Sequence, residues 1–317
     1  MSANGRREHG PIVCVGAHVQ GLFMHVERVP REGESVLGWG FREPRDGGKV
    51  ANVAVAAARL GAPVRLVTVI GTDERSSRWL EYFAAEGIDT RGVIRLDGPM
   101  DVGPALLPPS KVPALITVGD LSAKLAAGLV HESASAITDA SVVVCALESP
   151  IDGVEAAMRL GRRAGSTTML NPSPVAAVPD TLFPLVDVLV ANEDELSALV
   201  GARTDPAEAV AAMRDRWSIP TVVATAGPRG AFVAFGEAEV LHAPAPEVAV
   251  VDTTGAGDAF LGALAVSTRD GAPLATAVAT GVSAASLSCT REHTMPAFAT
   301  RAEVAAFAST PPEEAAP

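Results

Sequence analysis

The chain has 317 residues, enough for one large α/β domain or two modest ones, and 48% of them are hydrophobic, enough for a sizeable core. Its net charge of −12, with no Lys/Arg cluster to offset it, argues against a nucleic-acid-binding surface. Cys14, Cys145 and Cys289 are far apart with no CxxC spacing, and no apolar run approaches the ~18 residues of a membrane span, so the expectation is a soluble cytoplasmic protein with reduced thiols and neither a disulfide framework nor a zinc site.

Taken in order, residues 1–10 are polar, with no apolar signal region, and are expected to be flexible. Pro11–Gly16 is a short apolar run ending in Gly, the pattern of a buried parallel strand. Residues 17–47 are mixed polar and rich in Gly and Pro; the alternation in Ser35–Trp39 predicts a strand of a small accessory sheet. Gly47-Gly48-Lys49-Val50-Ala51-Asn52 then opens a helix through Ala58 that Gly61 ends. Val64–Gly71 reads as a strand and Glu74–Glu86 as a helix. Residues 93–119 return to accessory material, where Pro99, Pro104, Pro108, Pro109 and Pro113 break any helix. Leu121–His131 is weakly helical.

From Val142 the pattern is regular. Strands are expected at Val142–Leu147, Thr167–Leu170, Val186–Ala191 and Thr221–Ala224, with helices at Gly153–Ala164, Asp194–Val200 and Ala207–Trp217. Strands alternating with helices imply a mostly parallel, doubly wound sheet with helices on both faces. Ala231–Phe235 and a β-rich stretch follow, then helices at Ala259–Val266, Leu274–Ser288 and Arg301–Ala308; 311–317 is expected to be a flexible tail. Function is expected where loops leave the carboxyl ends of the strands.

Five stretches at those strand ends carry candidate chemistry. In Val250–Phe260 an apolar run stops at Asp252 and a Gly-Ala-Gly turn precedes a helix. Two glycines let backbone N–H groups converge at the helix N-terminus, a geometry that favours an anion. Asp258 beside such a site is suited to accept a hydroxyl proton during phosphoryl transfer; an ordinary N-cap is the other reading. Gly47–Asn52 offers flexible backbone, a cation and an amide, or simply a loop with a solvated Lys. Glu148, just past a strand, can accept hydrogen bonds from ligand hydroxyls or cap the next helix. Asn192 and Glu195, three apart, suit a water-clad Mg²⁺ or the local helix dipole. Thr225–Gly230 follows a strand with two glycines three apart and allows a nucleotide to approach closely.

In this order and on these strand ends, the five stretches resemble the ribokinase-like (PfkB) family of carbohydrate kinases, closest to its ribokinase branch, over about residues 11–310. Asp-Thr-Thr-Gly-Ala-Gly-Asp (252–258) is the most specific of them, and Gly-Gly-Lys-x-Ala-Asn with Leu-Glu-Ser-Pro points to the branch. The resemblance implies a doubly wound α/β domain with a small β-sheet lid, which the stretches 17–47 and 93–119 would supply. It implies ATP and Mg²⁺ as cofactors and a small sugar-like substrate phosphorylated at a hydroxyl, expected to be primary. Asp258 would be the base, and the amides of Gly255, Ala256 and Gly257 an anion hole. Asn192 and Glu195 would organise Mg²⁺ and phosphates, Thr225, Gly227 and Gly230 the nucleotide, and Gly48, Lys49, Asn52 and Glu148 the sugar. Asp252, Thr254, Ser288, Arg291 and His293 occupy the positions that hold K⁺ in some members, and the lid implies a possible homodimer.

The chain departs from that pattern at specific residues. Where ribokinases carry Asn-x-Asp after the first strand to grip sugar hydroxyls, this chain has Val19 and Gly21; Val50 and His293 replace glycines. His18, Gln20 or His25 are candidates to compensate, and Lys111 in the Pro-rich second lid segment is a candidate for meeting an anionic substrate. A nucleoside kinase of the same fold and a non-catalytic sugar or nucleotide sensor are the rival readings.

Overall fold

The computed structural model describes residues 9–110, 114–175 and 178–309. The chain runs β1 (Ile12–Val15), β2 (Gln20–Val26), β3 (Gly38–Arg42), α1 (Lys49–Arg59), β4 (Val64–Ile70), α2 (Glu74–Ala85), β5 (Asp89–Arg95), β6 (Val102–Leu107) and β7 (Ala114–Leu115). It continues α3 (Ala127–Glu132), β8 (Val142–Ala146), α4 (Ile151–Arg163), β9 (Thr167–Asn171), β10 (Val188–Asn192), α5 (Glu193–Val200), α6 (Pro206–Trp217), β11 (Thr221–Thr225), β12 (Ala231–Phe235) and β13 (Leu241–Ala243). It ends with α7 (Ala256–Arg269), α8 (Leu274–Ser288) and α9 (Arg301–Ala308).

A nine-stranded sheet has the order β13-β12-β11-β10-β9-β8-β1-β4-β5, parallel from β11 to β5 and antiparallel at β12 and β13. Because side chains alternate along a strand, each buried strand feeds two cores. Ile12 and Cys14 of β1 join α1, α7 and α8 on one face, while Val13 and Val15 join α3, α4 and α6 on the other. β1 pairs with β4 on one side and β8 on the other, so a crevice opens beyond its carboxyl end, where doubly wound sheets bind ligands.

A separate four-stranded sheet, β3-β2-β6-β7, stands over that end. Its β3 lies three residues later than the alternation around Ser35–Trp39 suggests. The stretch 93–119 divides: Val93–Arg95 complete β5 of the large sheet, and the small sheet takes over only at Val102. Leu121–His131 is not one helix but a 3₁₀ turn at Ser122–Lys124 followed by α3. At the amino end, Gly10 is held by its carbonyl, which accepts from Arg269 Nε (2.8 Å) and Ser141 Oγ (2.9 Å). The expected tail 311–317 and Lys111 lie outside the described residues. No helix among those residues is long and apolar enough to cross a membrane.

Two helices matter most for the site. α1 is buried from Val50 to Ala57, and α7 from Ala259 to Val266. They meet at Gly262, where a Cβ would lie 2.8 Å from Ala56 Cβ and 3.2 Å from Ala57 N. A glycine is required there because the backbones touch, and that contact sets the distance between the two helix N-termini.

Candidate active site

The Asp252–Asp258 stretch forms the turn into α7. Asp252 Oδ1 accepts from the backbone N (2.9 Å) and Oγ1 (2.7 Å) of Thr254, fixing the bend. Gly255 has φ 78°, and a Cβ there would lie 2.5 Å from Thr294 Cγ2, so conformation and space both demand glycine. Three open amides are expected at this turn, but Ala256 N donates to Thr253 O (3.2 Å). The amides of Gly255 and Gly257 have no backbone partner among the described residues, as the first turn of a helix leaves them.

Asp258, in that first turn, faces the N-terminus of α1. Asn52 joins them: its Oδ1 accepts from Gly47 N (3.1 Å), while its Nδ2 donates to Asp258 Oδ2 (2.8 Å) and Asp46 Oδ1 (3.0 Å). Glu148, beyond β8, accepts from Lys49 N through Oε2 (2.9 Å), and a Cβ on Gly48 would sit 3.2 Å from the same oxygen. Gly48 takes φ 79° to let the chain pass. Gly48, Lys49, Asn52, Glu148 and Asp258 are thus one cluster drawn from three distant parts of the sequence.

With Asp46, whose Oδ1 shares the Asn52 amide, the cluster has three carboxylates and one ammonium, and its charges show it. Burial pushes Asp258 up to about 6; Lys49 and the Asn52 hydrogen bond counter it, while Asp46 and Glu195 add to it. Burial likewise pushes Glu148 up to about 7 against the pull of Lys49. For Lys49 burial favours the neutral amine, but Asp258, Glu148, Glu195 and Asp46 together outweigh it and hold the ammonium. Asp46 was not marked in the sequence; an acidic residue directly before the Gly-Gly turn was the available signal.

On the other side of Gly257 lies a cavity of about 580 Å³ lined by Thr225, Gly227, Gly230, Thr253, Gly257 and Cys289 among others. Its floor includes Val282 and Ser286 of α8, which the sequence pattern did not single out. Its largely apolar walls and glycine rim fit a nucleotide. Asn192 and Glu195 form a reciprocal capping box, Asn192 Oδ1 accepting from Glu195 N (2.8 Å) and Glu195 Oε2 from Asn192 N (3.0 Å). Glu193 pairs with Arg229, tying this loop to the rim. Each member of the box keeps further acceptor capacity, which suits an ion that retains its water shell. No group of three or more His, Cys, Asp or Glu side chains among the described residues is arranged to hold a metal ion directly.

Next to the turn, Asp252 Oδ2 accepts from His293 N (3.1 Å). Burial pushes Asp252 up, but the hydrogen bonds from Thr254 and His293 outweigh it and keep the group below its ordinary value. Ser288 O accepts from Arg291 N (3.1 Å), and the Arg291 guanidinium turns away to Glu303 (2.7 Å). The Ser288 hydroxyl donates to Ala285 O (2.8 Å), so the side chains of Ser288 and Arg291 are both engaged. His293 holds φ 69°, a conformation more natural to glycine.

Two candidate substrate contacts are corrected. His18 is buried against Trp79 and Phe83 with Nδ1 at Gly47 O (2.7 Å), and burial depresses it to about 4, leaving it neutral. Gln20 is buried too: its Oε1 accepts from the Trp79 indole (2.6 Å), and its Nε2 donates to Gly21 O (2.8 Å) and Pro44 O (2.9 Å). Gln20 is thus fully engaged, and His18 holds Gly47 through Nδ1 while its buried Nε2 has no hydrogen-bond partner. His25 stacks on Trp39 in the small sheet, 6.1 Å between centroids.

With this geometry in place, the sequence matches the pfkB family carbohydrate kinase pattern across residues 12–301. The chain belongs to the pfkB family of carbohydrate kinases. This carbohydrate kinase is 31% identical to the ribokinase of Haemophilus influenzae over 293 residues, 89% of this chain and 94% of that one. Its fold matches a ribokinase from Thermotoga maritima with a TM-score of 0.86 at 26% identity, covering 95% of this chain and 100% of that one. It also matches an Arabidopsis thaliana ribokinase, described in complex with ribose and ATP, with a TM-score of 0.84 at 23% identity over 95% and 99% of the two chains. A pfkB carbohydrate kinase acts on a sugar hydroxyl, and the sensor reading is set aside.

Proposed function

We propose that this pfkB kinase moves the terminal phosphoryl group of ATP to a hydroxyl, expected to be primary, of a small neutral sugar, with Asp258 as general base. The observation that carries the reading is the position of the Asp258 carboxylate. It sits in the first turn of α7, 2.8 Å from Asn52, next to Gly257 on the rim of the cavity and in one charged cluster with Lys49 and Glu148. Bound MgATP supplies the phosphoryl group and charge neutralisation. Asn192 and Glu195 would hold the water shell of Mg²⁺. Asp258 takes the hydroxyl proton as the acceptor oxygen bonds to the γ-phosphorus and the bond to ADP breaks. The N–H groups of Gly255 and Gly257 face the negative charge that builds on the phosphoryl oxygens, and Lys49 offsets the excess of carboxylates.

Glu148 and Asn52 orient the acceptor, and the small sheet covers it and excludes water. Main-chain oxygens near Asp252 and His293 are the proposed K⁺ site. Leu37, Trp39 and Phe41 at one edge of the small sheet and Leu115 and Ile116 at the other are exposed apolar residues, which supports a homodimer through the lid. Free cysteines support a reducing, cytoplasmic setting. The test is ADP release across neutral pentoses, hexoses and nucleosides. Asp258→Asn is expected to lower kcat by about 10²–10⁴-fold with ATP affinity retained; full activity of that variant removes Asp258 from the mechanism.

A further inference from the structure

The loop just before α1 is sewn to the start of β2. Val19 N donates to Gly47 O (3.0 Å), Gly21 N to Asp46 O (3.0 Å) and Gln20 Nε2 to Pro44 O (2.9 Å). On the far side Met295 N donates to Arg45 O (3.0 Å), and the Arg45 guanidinium lies over the rings of Trp79 and Tyr82 at 5.4 and 4.8 Å. This loop therefore holds Asp46 in a fixed place. Asp46 Oδ1 is occupied, accepting from Gly48 N (3.3 Å) and Asn52 Nδ2 (3.0 Å). Asp46 Oδ2 has no hydrogen-bond donor among the described residues. A Cβ built on Gly21 would lie 3.2 Å from Asp46 Cβ and 3.4 Å from Asp46 Oδ2. The space a side chain at 21 would use is taken by the Phe23 ring edge, 2.7 Å from that Cβ, and by the carboxyl group of Asp46 beside it.

We propose that Asp46, through Oδ2, is a specificity-determining residue that accepts a hydrogen bond from a hydroxyl of the acceptor, doing from the α1 loop what a side chain at position 21 would otherwise do from β2. The proposal rests on the phosphotransfer reading above. Asp46 is anchored, partly buried and bonded to the same Asn52 amide that reaches Asp258, so an acceptor bound to Oδ2 is one residue away from the base. A carboxylate here favours neutral hydroxyl donors and works against acceptors that already carry a phosphate, because Glu148 and Asp258 lie in the same charged cluster.

The test separates reading from scaffolding. Binding of D-ribose, 2-deoxy-D-ribose, D-fructose and inosine is measured by calorimetry, and turnover by ADP release, for the wild type, Asp46→Asn and Asp46→Ala. Asn keeps an oxygen for Gly48 N and the Asn52 amide but puts a donor where Oδ2 was. Both variants are expected to weaken binding and raise KM for the best acceptor about 10- to 100-fold, with ATP KM within about twofold, as loss of a charged hydrogen bond predicts. Gly21→Asp added to Asp46→Ala is expected to restore part of the loss once the Phe23 ring edge moves aside. Should Asp46→Ala fail to fold, Asp46→Asn gives the answer. Unchanged acceptor KM in Asp46→Asn, or a fall in kcat alone, overturns the proposal and makes Asp46 a support for Asn52. A wild type that neither binds nor phosphorylates any neutral acceptor overturns the phosphotransfer reading together with this one.

Discussion

Asn52 donates to Asp258 across 206 residues of sequence, and the same amide nitrogen also reaches Asp46. The hydrogen bond favours the ionised form of Asp258, opposing the burial that lifts it to about 6. A base works only when ionised, so kcat/KM is expected to be full above that value and to fall as pH drops through it. Asn52→Ala removes the opposing bond, so the acid limb of the profile should move upward. Profiles of kcat/KM from pH 5 to 9 check this, and a limb that stays put in Asn52→Ala contradicts it.

Glu148 offers a stability readout. Its carboxyl titrates at about 7 in the fold against 4.5 ordinarily, so the folded state binds the proton more tightly. Below the ordinary value both states are protonated and nothing is lost. Between there and about 7 stability declines as pH rises, and the cost is complete above 7. Glu148→Gln keeps an oxygen for Lys49 N yet carries no charge. It should raise Tm at pH 8 by about 2–4 °C, with the difference vanishing near pH 4.5, while acceptor KM rises. Equal melting temperatures at pH 8 would refute the assignment.

Gly255 and Gly257, with only Ala256 between them, should respond differently to alanine. At Gly255 a methyl meets Thr294 and the φ is left-handed, so Gly255→Ala should lower both stability and activity. At Gly257 a methyl meets nothing within 4 Å. Gly257→Ala should therefore hold or raise Tm, since alanine suits a helix better, while narrowing the phosphate approach and lowering kcat. Thermal melts beside steady-state rates decide the point; a fully active Gly257→Ala argues against the anion hole.

The cysteines provide a nucleotide footprint. Cys14 and Cys145 are fully buried and should resist maleimide in the native state. Cys289 is half-buried and lines the 580 Å³ cavity, with burial raising its thiol pKa. Labelling at Cys289 should be slow and slower still with saturating ATP, as followed by peptide mass spectrometry. An unaltered rate would place the nucleotide elsewhere.

The central strands were legible because burial on both faces leaves Val-rich runs such as Val142–Ala146, which no loop resembles. β5 was not, because Asp89, Arg91 and Arg95 give an edge strand the look of a loop; Asp89 is tied down by Arg65 instead of by a core. β3 is exposed along its whole length, so the alternation in Ser35–Trp39 had no buried face to fix its register. The glycine-rich turn into α7 was readable from residue type, since the turn needs small residues. The correction at Gln20 has a plain source: the buried Trp79 indole needs an acceptor and Gln20 supplies it, a demand visible only when α2 is packed against β2, and the same packing encloses the His18 ring. Asp46 was hidden for a related reason, since it lies in the loop before α1 and its neighbour Gly21 comes from β2.

Gly262 touches no ligand, yet it gauges how closely two helices approach, and so how far the amide of Asn52 stands from the carboxylate of Asp258. Even one added methyl would act as a shim four residues deep, lengthening the Asn52–Asp258 contact from inside the core. Silent enzyme variants of this chain are thus to be sought among its smallest interior residues as well as around its cleft.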